Sequence, residues 1–240
     1  MIEERVKNYW ARRAHDFGIV RKNELENQMS VRWRQEILRL LPEKTLDILD
    51  VGTGTGFFAV LLAEQGHHVQ GIDITPAMLE EAAELAAERH LDIVFRQMDA
   101  QNLSYEDDSF DVVISRNLTW TLPDPEQAYK EWNRVLRPGG VLLNFDANYG
   151  EYVRSESTQN AAVAADSPYG HIGMTGEMEQ ENASITLAMD ISREFRPAWD
   201  ENILAQIGFQ RCNVDLSAGR RVLGGLDLET APMFGICAIK

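Results

Sequence analysis

Residues 48–74 read ILDVGTGTGFFAVLLAEQGHHVQGIDI, and no other stretch limits the fold as much. The apolar run Leu46–Val51 reads as a strand and breaks into glycines at alternate positions, Gly52, Gly54 and Gly56. A helical pattern follows over Phe57–Gln65, closed by Gly66, and then a second strand pattern, Val69–Ile74. Strand, tight turn, helix and strand make a βαβ unit, whose strands lie parallel because the helix carries the chain back across the sheet. A parallel sheet is covered on both faces, so more helices are required.

The rest of the chain supplies them. Before the glycine loop, residues 2–17 and 24–41 read as two helices, with apolar and aromatic positions at three- and four-residue spacing and Pro42 at the exit. After it, Thr75-Pro76 signals a helix start, and that helix runs to about Arg89. Ile93–Met98 and Phe110–Ser115 are strand patterns, Asp124-Pro125 opens a helix through Val135, and RPGG (137–140) reads as a turn into the strand Val141–Phe145. The alternation stops there. Some 50 residues follow without strand–helix rhythm, until a helix at Trp199–Ile207 and strands at Gln210–Leu216 and Phe234–Lys240. A long insertion inside a compact domain is commonly a functional lid. We therefore expect one domain over 1–240: a helical segment 1–42, a ligand-binding core 43–145, a cap 146–197, and a closing helix and strand pair 198–240.

A glycine loop between strand and helix admits a ligand to the backbone and presents unpaired N–H groups to it. The dinucleotide fingerprint is G-x-G-x-x-G. Here the spacing is G-x-G-x-G, with Asp50 two residues ahead. A carboxylate at that place repels a pyrophosphate and suits an ammonium or sulfonium. Asp73, ending the second strand, is placed to accept ribose hydroxyls. Asp99, after the third, is placed to read an adenine amino group.

Four motifs in order, LDVGTGTGFFAVLLAEQG, GIDITPAML, MDAQNLSYEDDSFDVVISRN and EWNRVLRPGGVLL, give the chain its resemblance to class I S-adenosylmethionine-dependent methyltransferases of the small-molecule, type 11-like group. The resemblance implies a Rossmann-like, doubly wound α/β fold with seven strands, mostly parallel, the last antiparallel and inserted beside its predecessor. It implies that Asp50, Gly52, Thr53, Gly54 and Gly56 line the methionine end of the cofactor. Asp73 would hold the ribose, with Ile74 and Met78 beside it; Asp99 and the backbone of Ala100 and Gln101 would hold the adenine. Ser115 and Arg116 would complete the wall, and the aromatic first helix, with Tyr9 and Trp10, would fold over the cofactor.

Methyl transfer from a sulfonium asks a protein mainly to align two reactants and exclude water, so no conspicuous catalytic constellation is required. Candidates for an acceptor-side base are Asp146 and His171; both also suit bland roles, a turn cap and a surface loop. Asn117, Trp120, Asn148, Tyr149 and Trp199 are candidate substrate-binding residues, and Tyr152 and Tyr169 could join them in an aromatic wall. Arg116 could bind a substrate carboxylate or pair with a neighbouring acid. We expect no metal: His67 and His68 are strand neighbours that face opposite ways.

Composition excludes several classes. The net charge of −15 opposes a nucleic-acid partner, although residues 1–40 carry a net +3. The acidic balance of residues 151–200, net −6, favours a neutral or cationic acceptor. There is no long apolar stretch, and two cysteines make no disulfide framework, so the expectation is a cytoplasmic monomer or homodimer away from membranes. A nicotinamide oxidoreductase is disfavoured by the glycine spacing. A non-catalytic sensor on the same fold remains an alternative.

Overall fold

The computed structural model describes residues 1–155 and 172–240. Seven strands form one sheet in the order β3-β2-β1-β4-β5-β7-β6. They are β1 (Asp47–Val51), β2 (His68–Asp73), β3 (Val94–Gln97), β4 (Phe110–Arg116), β5 (Leu136–Asp146), β6 (Arg211–Asp215) and β7 (Phe234–Ile239). The first five run parallel, and β7 lies antiparallel between β5 and β6.

The central strands are apolar on both faces because both are covered. On one face Ile48, Val112, Ile114, Leu143 and Phe145 pack under α2 (Gln28–Leu38), α3 (Phe57–Ala63) and α9 (Ala218–Leu223). On the other, Leu49, Val51, Val113, Leu142 and Ile236 pack against α5 (Pro125–Val135) and α8 (Ala198–Ile207), with Tyr129, Trp132 and Leu204 fully buried. Both expected helix starts are present, one of them with a side-chain cap. Pro76 opens α4 (Pro76–Glu88) behind Thr75, and the Asp124 carboxylate caps α5 by accepting from the Gln127 N–H at 2.9 Å.

Three local expectations are corrected. The first helix does not stop at residue 17: α1 spans Ile2–Leu25, because its buried stripe continues through Val20 to Leu25 and its Arg21 and Glu24 pair with each other. The second helix is correspondingly short, starting at Gln28 with the Asn27 side chain capping the Met29 N–H at 2.7 Å. RPGG is a bulge within β5 rather than a turn before it: Phe110 faces Leu136 but Val112 faces Val141. The bulge is held by reciprocal bonds, Gly139 N–H to Lys240 O and Lys240 N–H to Gly140 O, both 3.0 Å.

In the expected cap region, α6 (Tyr149–Arg154) and α7 (Gly176–Ala188) are helical. Ile185, Met189 and Ile191 pack with Val6 and Tyr9 of α1 as a separate apolar cluster. Residues 217–233, for which the sequence suggested no element, hold α9 and a short 3-10 turn at Gly224–Leu226. Among the described residues, no helix is long and apolar enough to cross a membrane.

Candidate active site

The sheet order reverses between β1 and β4, and open parallel sheets bind ligands in the crevice outside the strand carboxyl ends at such a point. A cavity of about 1310 Å³ lies there. It is lined by Asp50 and the glycine loop after β1, Asp73 after β2, Asp99 after β3, Asn117 after β4 and Ala147 after β5.

The glycine loop is held by its aspartates. Asp50, only 2% exposed, accepts from the Thr53 hydroxyl at 2.6 Å and from the Ala59 N–H in α3 at 3.1 Å, both on Oδ2. Asp73 accepts from the Gly54 N–H at 3.0 Å with one oxygen and from the Thr75 N–H at 2.9 Å with the other. Burial pushes both carboxyls up, Asp50 to about 7, with the Asp73 charge adding to the rise. Gly52 has φ +67°, and a Cβ there would sit 2.7 Å from Leu118 Cδ1, so the chain needs glycine to bring the wall after β4 against the loop. At Gly54 a Cβ would meet only Phe17, at 3.7 Å, and would otherwise project into open space beside the loop.

Gly56 departs from expectation. It is not on the cavity wall; a Cβ there would lie 3.1 Å from Ala82 Cβ, so it serves the packing of α3 on α4. Thr53, Ile74, Met78, Ala100 and Gln101 do line the cavity. The Gln101 N–H already donates to Asp99 Oδ1 at 2.9 Å, and the Ala100 carbonyl accepts from Trp132 Nε1 at 3.0 Å. Both backbones therefore shape the floor by fixing Asp99 and α5.

On the other side, several expected residues fall behind the wall. Ser115 is fully buried within β4, and Asn148 caps α6. Trp199 packs among apolar side chains, and none of the three lines the cavity. Asp146 is no accessible base. It is buried, accepts from the Thr119 hydroxyl, the Trp120 N–H (3.3 Å) and the Ala147 N–H (2.8 Å), and pairs with Arg196 at 3.1 Å. Arg196 also grips Asp200 at 2.8 Å, and Asp200 takes the Tyr129 hydroxyl at 2.6 Å. Arg116 reaches the cavity wall, but its guanidinium pairs with buried Glu24 at 2.9 Å and stacks 4.5 Å from the Trp33 ring. Burial would raise the Glu24 carboxyl, yet Arg116 and Arg21 outweigh it and hold it at about 2. His171 and Tyr169 lie outside the described residues.

Tyr9, Asn117, Trp120, Tyr149 and Tyr152 line the cavity as expected, with Trp120 and Tyr149 rings 5.1 Å apart. Sequence reasoning missed Arg13 and Phe17, which follow Tyr9 at four-residue spacing on the same face of α1 and also line it. It also missed Leu223 and the 225–229 stretch, which no motif marked. Among the described residues, no cluster of histidine, cysteine or acid could hold a metal.

A doubly wound sheet with this loop, these two strand-end aspartates and this order defines a nucleoside-binding domain of the methyltransferase kind. Residues 49–144 match the family model of a methyltransferase domain, and this part of the chain is a class I S-adenosylmethionine-dependent methyltransferase domain. The chain is 40% identical over 116 residues to demethylmenaquinone methyltransferase of Thermus thermophilus, covering 47% of this chain and 53% of that one. It is also 40% identical over 98 residues to phosphatidylethanolamine N-methyltransferase of Cereibacter sphaeroides, covering 40% and 48%. The chain thus spans about half the length of the curated relatives it matches. In fold it resembles phosphoethanolamine N-methyltransferase 2 of Haemonchus contortus, solved with S-adenosyl-L-methionine, at TM-score 0.61 and 20% identity over 87% of this chain and 52% of that one.

S-adenosylmethionine is the cofactor of this domain class, and the residues fit it. Open space beside Gly54 leaves room for a ligand against the loop, and the lining brings Asp50 and Asp73 there with no lysine among the described lining residues to bind a phosphate.

Proposed function

We propose that the chain transfers a methyl group from S-adenosylmethionine to a small molecule held in the same cavity. The observation that carries this reading is the convergence, on one cavity, of the glycine loop with Asp73 and Asp99 on one side and an aromatic wall on the other. Bound S-adenosylmethionine supplies an electrophilic methyl group on a cationic sulfur. Gly52, Thr53 and Gly54 admit its amino-acid end, Asp50 fixes the loop and lends negative charge, Asp73 takes the ribose hydroxyls, and Asp99 frames the adenine beside Ile74 and Met78. Tyr9, Trp10 and Phe17 of α1 cover the site and exclude water, which strengthens every charge interaction inside. We assign the acceptor side to the cap, residues 146–197, of which α6 and α7 line the cavity. The names of the relatives, one for a quinone and one for a phospholipid amine, differ too widely to choose an acceptor here.

Calorimetric titration with S-adenosylhomocysteine, beside NADH and an Asp73→Ala variant, tests the reading. S-adenosylhomocysteine should bind, and the variant should weaken its binding about 10- to 100-fold, the worth of hydrogen bonds to a carboxylate. Binding of NADH alone overturns the proposal.

A further inference from the structure

The wall after β4 holds two buried polar atoms with no partner among the described residues, Asn117 Oδ1 and Trp120 Nε1. Both residues line the cavity, and Trp120 is only 7% exposed. Their roles are fixed and opposite: an amide oxygen accepts, and an indole N–H donates. Buried polar groups are nearly always hydrogen-bonded, so an unpaired donor and acceptor on one cavity wall point to a ligand that completes them.

Neither backbone is loosely held. Asn117 sits at φ +53° with its N–H donating to Phe145 O at 2.8 Å. Trp120 is anchored through its backbone N–H by Asp146, and its ring rests on Tyr149. Leu118, between them, packs over Gly52, so this wall meets the loop that would hold the methionine end of the cofactor.

The geometry points to Asn117 and Trp120 as the pair that orients the acceptor, and to a neutral amine, on a skeleton that also carries a hydrogen-bond-accepting oxygen, as the acceptor class. The inference rests on the methyltransferase reading above. A primary or secondary amine donates one N–H to Asn117 Oδ1 and keeps its lone pair for the methyl carbon. A hydroxyl must lose its only proton to react, and the resulting anion has nothing to donate and is repelled by the amide oxygen. A thiolate has the same deficiency. The wall from Asn117 to Val153 that carries the pair brings, among the described residues, no carboxylate and no imidazole to the cavity; the acceptor-side carboxylate is Glu179, across the cavity on α7. Asp146 is engaged behind the wall. The step balances: the amine lone pair forms the nitrogen–carbon bond, the carbon–sulfur pair stays with sulfur, and the surplus proton leaves to water.

The test begins with S-adenosylhomocysteine calorimetry on the wild type, Asn117→Gly, Asn117→Asp and Trp120→Phe. Glycine suits the left-handed backbone, aspartate keeps the acceptor oxygen, and phenylalanine keeps a ring without the donor. Label transfer from tritiated S-adenosylmethionine is then followed with glycinamide, 4-aminobenzamide and 2-methoxybenzylamine, and with their hydroxyl and thiol counterparts. We expect label on amines alone. Asn117→Gly should lower kcat/KM about 10- to 100-fold with partial rescue by Asn117→Asp, and Trp120→Phe should raise KM about tenfold with kcat little changed. Homocysteine-product affinity should stay within about twofold in all three variants, as expected of residues that bind only the acceptor. In product-saturated protein, the indole N–H resonance absent from Trp120→Phe should move when the amine is added. Label on oxygen, sulfur or carbon overturns the inference. So does an unchanged rate in Asn117→Gly, or the absence of both label and resonance shift with every amine while the product still binds. Failure of the wild type to bind S-adenosylhomocysteine overturns the underlying reading instead.

Discussion

The two sides of the cavity are tied together over different distances along the chain. On the cofactor side the ties are short: Asp50 to Thr53 spans three residues, Asp99 to Gln101 two, and Asp73 to Gly54 nineteen. On the acceptor side, Arg196 reaches Asp146 across 50 residues and Thr119 across 77, Tyr129 reaches Asp200 across 71, and Arg116 reaches Glu24 across 92. Strand-end turns build one side, and long-range packing builds the other. The proposed cofactor half thus rests mainly on local turns, whereas the proposed acceptor half depends on contacts between distant segments.

The largest effect that sharpens this contrast is expected from Arg196→Met. Two buried carboxylates, Asp146 and Asp200, would lose their shared cation, and breaking a buried pair from one side costs about 3–5 kcal/mol. Urea unfolding should show that loss, while S-adenosylhomocysteine affinity of the folded fraction stays near that of the wild type. An equal loss of product affinity would mean that the two halves are not separable.

Next come two glycine substitutions within one loop. Gly52→Ala adds a Cβ at positive φ and against Leu118, so it should cost stability by about 1–2 kcal/mol and also misplace the wall. Gly54→Ala carries a similar backbone strain but meets almost nothing, so its distinguishing loss should be in product affinity, read by calorimetry against its melting temperature. Equal affinity losses in the two would break the assignment of Gly54 to the ligand face.

The smallest effects are in pH. Asp50 is raised to about 7, so the folded chain holds a proton that the unfolded chain releases near the ordinary carboxylate value. Stability of the ligand-free chain should therefore fall as pH rises from about 4 to about 7, and Asp50→Asn should flatten that slope. Glu24, held at about 2, acts oppositely: its contribution is full above its ordinary value and is lost as pH falls towards 2. An ionised Asp50 favours a cation, so affinity for S-adenosylmethionine relative to S-adenosylhomocysteine should grow as pH rises through about 7. A ratio independent of pH in the wild type would remove Asp50 from the cationic end.

Legibility in the sequence followed the same division. The strand–helix alternation, the glycine loop, Asp50, Asp73 and Asp99 were visible because period and turn chemistry are local properties. Gly56 misled because three evenly spaced glycines look alike, although one faces Ala82 rather than the cavity. RPGG looked like a turn because its pairing with Lys240, about a hundred residues away, leaves no local trace. Asp146 suited a base or a turn cap; Arg196, in a stretch with no strand–helix rhythm, pairs with it behind the wall. Asn117 and Trp120 were visible as residue types after a strand, but their unpaired atoms were not.

Periodicity and turn chemistry were thus sufficient for the strand–helix alternation and the strand-end carboxylates, and the four motifs carried the resemblance to methyltransferases, because each is a local property of the chain. The folded chain alone showed which glycine packs against Ala82 and which has open space beside it, which acids are locked in buried pairs and which wall atoms have no partner among the described residues. Those outcomes depend on which distant segments come into contact, and the energy of such contacts is a property of the packed molecule rather than of any one stretch of chain.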